Sequence, residues 1–223
     1  MITFLIPSHN YAKFLSKCIL SINNNNPKFI KEIIIVNDGS TDDTDNVVNL
    51  LKKKVKLKYY KRNFRSLSRT MNFAIKKSHG NYLCKIDPDD FIEKNFAREM
   101  GHKFKESNSD FLYSNMIVND LLSKKSFIKN QKVLAHLKLI KYPHGSGTLF
   151  KKSLWKKVGG FNENNFYQDD YDFWLKINKL KNVKINYYDI SLYNYNKHGK
   201  NMSKNFFNKN MTKIKIFLKN FIN

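Results

Sequence analysis

The chain has 223 residues, enough for one large domain with a real core, and its 41% hydrophobic and 14% aromatic content excludes a disordered polymer. Its formal net charge of +23, from 41 Lys+Arg against 18 Asp+Glu, favours anionic partners. No apolar run approaches the roughly 18 residues of a membrane-spanning helix.

Only four basic residues are Arg (Arg62, Arg65, Arg69, Arg98). Arg is the usual reader of bases, so a nucleic-acid partner is not expected. Lysines scattered among many Asn and Ile residues read as a compositional bias, and attraction to an anionic membrane surface stays open. Met1–Pro7 lacks the basic stretch of a signal peptide. Cys18 and Cys84 have no metal-type spacing and imply no disulfide framework, so a reducing cytoplasm is the expectation.

In chain order, residues 2–6 predict a strand ending at Pro7-Ser8-His9-Asn10. Phe14, Leu15, Cys18, Ile19 and Ile22 have helical spacing, and the Asn run before Pro27 stops that helix. Ile33–Val36 is a β-branched run typical of a strand buried on both faces, ending at Asn37-Asp38-Gly39-Ser40. A helix capped within Thr41–Thr44, a strand at 57–60, a helix around Leu67–Ile75 and a strand at 82–86 follow. This β-α alternation predicts an α/β domain with a mainly parallel sheet flanked by helices.

The second half is less regular. A helix is predicted from about Lys94 to Ser107 and a strand at 110–118, while 127–139 is ambiguous. His144-Gly145-Ser146-Gly147 reads as a tight loop, Gly159-Gly160-Phe161 as a turn, Asp169–Leu180 as a helix and Val183–Tyr188 as a strand. From Lys204 on, Phe207, Met211, Ile214, Leu218, Phe221 and Ile222 fall on one face of a basic amphipathic helix, either packed on the domain or lying on anionic lipid.

The most informative stretch is Lys85-Ile86-Asp87-Pro88-Asp89-Asp90, three carboxylates within four residues at a strand end. Crowded like charges are relieved by a cation. Carboxylate oxygens suit Mg²⁺ or Mn²⁺, which take one or two protein ligands and fill the rest with substrate phosphates. Strand carboxyl ends are where open α/β sheets place ligands. The alternative is a solvated acidic turn that caps the next helix.

Five motifs lie in order: Pro7–Asn10, Ile34–Asp42, Gly80-Asn81-Tyr82 leading into Asp87–Asp90, Val158–Phe161 and Gln168–Trp174. Together they resemble glycosyltransferase family 2, which has the Rossmann-like GT-A fold. The resemblance implies that Pro7, His9 and Asn10 lie along a nucleoside and that Asp38 accepts from its base, most naturally uracil. It also implies that Asp87 binds ribose and that Asp89 is the direct ligand of Mn²⁺ or Mg²⁺. Asp90 would orient the loop or touch the donor sugar. Asp170 would be the catalytic base, with Asp169 or Asp172 as alternatives. His198 would reach the metal or diphosphate from a lid around 196–203, and His144 and Trp174 would line the acceptor site. Where the family carries Arg-Asn, this chain has Met71-Asn72, so Arg65 or Arg69 is the candidate cation for the diphosphate.

The expectation is a metal-dependent inverting transferase. It would move sugar from a nucleotide-sugar, of the UDP class, to a glycan or lipid-linked acceptor in cell-surface polysaccharide synthesis. Residues 1–92 would form the nucleotide-binding half, 93–203 the acceptor half and 204–223 the terminal helix. It would be cytoplasmic, with peripheral contact at the inner membrane face; the oligomeric state is left open. The rivals are a nucleotidyltransferase and a basic nucleic-acid- or membrane-binding module without catalysis.

Overall fold

The computed structural model describes residues 1–164, 168–199, 201 and 206–221. The first half follows the predicted order: β1 (Ile2–Ser8), α1 (Ala12–Asn23), β2 (Ile30–Asp38), α2 (Thr44–Lys52), β3 (Lys58–Arg62), α3 (Leu67–Lys77) and β4 (Tyr82–Lys85). Strands β3, β2, β1 and β4 lie side by side and parallel.

Strand periodicity sorts the β2 run onto two cores. Ile33 and Ile35 join one cluster with Leu15, Cys18 and Ile19 of α1. Ile34 and Val36 join the other, with Met71, Ala74 and Ile75 of α3. Side chains alternate across a strand, so a continuous apolar run is stable only with helices on both faces. Each such buried side chain contributes about 1.5–3 kcal/mol relative to exposure.

The second half continues the same sheet. It adds β5 (Phe91–Ile92), α4 (Phe96–Glu106), β6 (Phe111–Asp120), β7 (Lys125–Lys129), β8 (Leu149–Lys151), α5 (Lys152–Lys157), α6 (Asp169–Lys179), β9 (Ile185–Lys197) and α7 (Phe206–Phe221). The order is β3-β2-β1-β4-β8-β6-β9-β5, with β7 paired to β6. Here β8 runs antiparallel to β4 and β6, while β9 runs parallel to β6. The sheet is therefore mixed, with its parallel core in the first half.

Short β5 and α5 have no counterpart in the sequence expectations, and three further stretches are defined only by the fold. The ambiguous 127–139 stretch contributes β7, exposed along its whole length, and a short 3-10 turn at Ala135–Leu137. The strand expected at 183–188 runs on to Lys197. Asn is a poor strand former, but Asn194 bonds Glu93 Oε1 (2.8 Å) and accepts from Asn119 (3.1 Å), so tertiary partners override propensity. On α7, Ile216 is buried, whereas Ile214 and Leu218 of the apolar stripe, expected either on the domain or on lipid, face solvent. The remaining stripe positions, Phe207, Met211, Phe221 and Ile222, lie outside the described side chains.

The Gly-Gly-Phe turn is held by Asn72 of α3. Its Nδ2 donates to Phe161 O (2.9 Å) and Glu163 Oε1 (2.9 Å), and its Oδ1 accepts from Trp155 Nε1 (3.1 Å) and Phe161 N (3.0 Å). A side chain of this size that satisfies four partners has no substitute among the aliphatic residues. Asn72→Ala orphans two buried donors and one backbone acceptor, and should lower unfolding free energy by about 2–4 kcal/mol in a urea titration.

Candidate active site

The carboxyl ends of β1 and β2 are clipped together. Asn10, with φ +61°, donates its backbone N–H to Ser40 Oγ (2.9 Å), and its Oδ1 accepts from Thr41 N (2.7 Å). His9 Nδ1 lies 2.7 Å from the carbonyl oxygen of Asp38. Pro7 sits within β1 opposite Val36.

Asp38 has a task the sequence did not reveal. Its Oδ1 accepts from Phe64 N (2.5 Å) and Arg65 N (2.9 Å), and its Oδ2 accepts from Ser66 N (2.9 Å) and Thr70 Oγ1 (2.9 Å). A carboxylate has about four lone-pair positions. Four donors of the chain converge on them, so Asp38 shapes the 64–66 loop that follows β3.

The acidic turn follows β4, and its three carboxylates have three different surroundings. Asp90 is buried at 1% exposure. It accepts from the Tyr193 hydroxyl and from Asn196 N (2.8 Å). Burial, then the charges of Asp87 and Asp89, push its carboxyl well above the usual range. Asp90 is thereby tied to β9 through both carboxylate oxygens.

Asp89 lies 2.8 Å through Oδ2 from His198 Nε2 and accepts from Asn201 Nδ2 (3.3 Å). Burial and then the charge of Asp87 raise its carboxyl. His198 also stacks on Phe14, with centroids 4.8 Å apart. Its backbone N–H donates to Asn201 Oδ1 (2.9 Å) and Asn201 Nδ2 to the Asn196 carbonyl (2.9 Å), so Asn196, His198 and Asn201 are knotted together over the turn. Residues 200, 202 and 203 of the expected lid lie outside the described residues.

Asp87 pairs with Lys85 (3.1 Å). Burial works against its charge, but the ammonium of Lys85 holds the carboxyl below its usual value. Lys85 is itself buried, at 8% exposure. Burial pulls its ammonium down, and Asp87, Asp169 and Asp170 together outweigh that and keep it charged.

Lys85 joins the acidic turn to the second acidic element. It lines a small pocket with Asp169, Asp170, Gly145 and Trp174. Asp169 is buried, and desolvation, only partly offset by Lys85, raises its carboxyl to about 6. Asp170 is more accessible. Trp174 is buried and donates Nε1 to Lys138 O (2.6 Å), which makes it a wall of the pocket.

The 144–147 loop threads between these parts. A Cβ on Gly145 would fall 2.7 Å from the Asp170 Cβ, and one on Gly147 (φ +76°) 2.7 Å from the Tyr193 ring. Only glycine permits both approaches. His144 packs against Tyr195 (5.3 Å between centroids), and burial pushes its imidazole down to about 4, so it is neutral near pH 7.

Arg69 is not in this cluster. Its one ion pair among the described residues is an exposed contact with Glu163 (3.6 Å). Arg65 is held at φ +47° in the loop that Asp38 organises. The sequence reading missed the roles of Lys85, Tyr193, Asn196 and Asn201. Tyr193, Asn196 and Asn201 meet partners about a hundred residues away, Lys85 also meets Asp169 and Asp170, and only the Asn196-x-His198-x-x-Asn201 spacing hinted at a knot.

Comparison with known proteins agrees with this geometry. The family described as Glycosyl transferase family 2 matches residues 3–159. An uncharacterized glycosyltransferase of Rickettsia typhi is 29% identical over 82% of this chain and 60% of its own length. Poly(ribitol-phosphate) β-N-acetylglucosaminyltransferase TarS of Staphylococcus aureus is 28% identical over 50% of this chain and 20% of its own. The chain thus spans less than two thirds of these curated relatives. Among solved structures, S. aureus TarS 1–349 with UDP-GlcNAc superposes with TM-score 0.80 at 20% identity, covering all of this chain and 66% of that one. A Pyrobaculum calidifontis mannosyltransferase with GDP-Man and Mn²⁺ superposes with TM-score 0.78 at 15% identity, covering all of this chain and 64% of that one. These superpositions establish the GT-A fold, and the family match sets aside both the nucleotidyltransferase and the non-catalytic module. The chain belongs to glycosyltransferase family 2 and is an enzyme of that family.

Proposed function

We propose that the chain transfers a sugar from a UDP-sugar to a hydroxyl of a glycan or lipid-linked acceptor, with inversion, in cell-surface polysaccharide synthesis. The work would be done in the cytoplasm on an acceptor presented at the inner membrane face. Residues 1–92 serve the donor and 93–203 the acceptor. One observation carries the reading: the acidic turn after β4 and the Asp169–Asp170 pair, some eighty residues apart, share the buried ammonium of Lys85. That sharing supports the reading of a donor subsite beside a base.

The residues fit a divalent cation, Mn²⁺ or Mg²⁺, that completes its shell with substrate. Among the described residues no group of three or more His, Cys, Asp or Glu converges to hold a metal unaided. Asp89 and His198 offer two ligands already within 2.8 Å of each other, beside the charge of Asp87. That is the pattern of a metal bound through one or two protein ligands plus diphosphate oxygens. When bound, the cation supplies charge stabilisation to the leaving nucleoside diphosphate.

The chain's own residues do the rest. The 64–66 loop, set by Asp38, and the clipped His9–Asn10 turn receive the nucleoside. Asp90, Tyr193 and Asn196 keep the acidic turn from relaxing apart. Asp170 accepts the proton of the acceptor hydroxyl as that oxygen attacks the anomeric carbon. Lys85 holds the base and the donor turn in one register, and Trp174 closes the wall of the pocket. A single base without a covalent intermediate gives one displacement, hence inversion.

Nucleoside diphosphates test the donor site. UDP with Mn²⁺ should raise the melting temperature, and neither alone should do so to the same extent. Asp89→Ala should abolish the shift while the protein stays folded. A preference for GDP would keep the metal site and change the donor; no shift with any nucleotide would refute the reading.

The base has its own signature. Asp170→Asn should lower kcat by about 10²–10⁴ with donor affinity unchanged. Because burial raises Asp169 to about 6, it takes up a proton as the pH falls through that value. Lys85 is then left to Asp87 and Asp170 alone, and a base held more tightly by a cation is weaker. Initial rates from about pH 5 to 8 should therefore fall on the acid side of about 6 and level off above it.

A further inference from the structure

Eleven large apolar side chains stand exposed among the described residues. Three of them, Met1, Leu20 and Leu50, are isolated. The other eight fall in two segments. Leu121, Leu122, Phe127 and Ile128 belong to the β6–β7 hairpin, and Leu134 and Ile140 to the strap that follows it. Ile214 and Leu218 stand on the outward face of α7, one turn apart, while Ile216 packs inward.

The two segments meet. Lys213 of α7 donates to the carbonyl of Ile140 (2.7 Å) and lies over the rings of Tyr142 and Tyr171. The strap and the helix are thus in contact, and the hairpin runs on into the strap along the chain.

Charge is equally one-sided. From Leu121 to Lys141 there are six lysines (Lys124, Lys125, Lys129, Lys132, Lys138, Lys141) and no Asp or Glu. Among the described residues none of the six makes an ion pair. From Phe206 to Phe221 there are four more lysines and again no carboxylate.

We propose that hairpin, strap and α7 dock on an anionic phospholipid bilayer. Exposed aliphatic and aromatic groups interleaved with lysines, the hairpin's Asp120 being already paired with Lys197, match a surface that is anionic at its headgroups and apolar just beneath. Lysine stems lie along the apolar layer while their ammonium groups reach the phosphates. A second copy of the chain would set like charges against each other. An anionic polymer would satisfy the lysines and leave Phe127 and Ile128 in water. The strap runs directly into Tyr142 and His144, so docking brings the Asp169–Asp170 pocket close to a lipid-borne hydroxyl. That last step rests on the transferase reading; bilayer binding does not.

The test is sedimentation of the full chain with vesicles of phosphatidylcholine, with or without one third phosphatidylglycerol. Binding should require the anionic lipid. Phe127→Ser with Ile128→Ser, which changes no charge, should weaken it on the order of tenfold. Lys124→Glu with Lys125→Glu should weaken it at least as much. Lys52→Glu with Lys53→Glu, on the exposed end of α2, makes the same charge change elsewhere and should leave most of the binding. Absence of binding to the anionic vesicles would overturn the proposal. So would equal loss from both lysine pairs together with indifference to the Phe127–Ile128 change, because binding would then follow net charge alone. The UDP–Mn²⁺ melting shift, measured on the same variants, should not move, so failure of the bilayer proposal and failure of the donor site are read separately.

Discussion

Three carboxylates within four residues repel one another, and much of the second half of the chain is arranged to hold them together. Each is handled differently. Asp87 is matched by the Lys85 ammonium, Asp90 is buried under Tyr193 and Asn196, and Asp89 is met by His198 and Asn201. At about 4 Å, two like charges cost from about 1 kcal/mol in water to several at a partly buried site. Burial and mutual repulsion both raise Asp89 and Asp90. The cluster is stable only because β9 and the segment beyond it supply donors, and it retains a demand for positive charge that a cation with a diphosphate would meet.

That demand explains the topology of the second half. Strand β9 is long for its composition, and its last residues, Asn194 to Lys197, exist as strand because Glu93, Asp90 and Asp120 bond to them. The antiparallel β8 comes next to β4 and brings the 144–147 loop over Lys85, where Gly147 N donates to the Lys85 carbonyl (2.9 Å). The same loop abuts Asp170. A buried, charged lysine is unfavourable unless it is paired, and removing one partner of such a pair leaves a strongly destabilised charge. Lys85 is thus both a structural tie between the two acidic elements and the source of their electrostatic coupling.

The legible part of the sequence was local. Strand periodicity in Ile33–Val36, helical spacing in α1 and α3, and the Asp-x-Asp turn each have a short-range cause, so the donor half could be read almost element by element. The second half is governed by contacts 75–110 residues apart in sequence, such as Asn119 with Asn194 and His198 with Asp89. No window of sequence shows these. Asp38 illustrates the same limit: its place at the end of β2 was readable, but its engagement with the 64–66 loop was not, because four donors from another segment decide it. On α7 the helical period was legible, while which face meets the core was left open: Ile216 finds it and Ile214 and Leu218 do not.

The central claim is that Asp89 and His198 hold a divalent cation only together with a nucleoside diphosphate. Electron paramagnetic resonance of Mn²⁺ tests it without any acceptor. The sharp signal of free Mn²⁺ should persist with protein alone, at most slightly reduced, and collapse when protein and UDP are both present beyond the loss that UDP causes by itself. His198→Ala should weaken that collapse and Asp89→Ala should remove it. A signal indifferent to the protein at every nucleotide concentration would contradict the account.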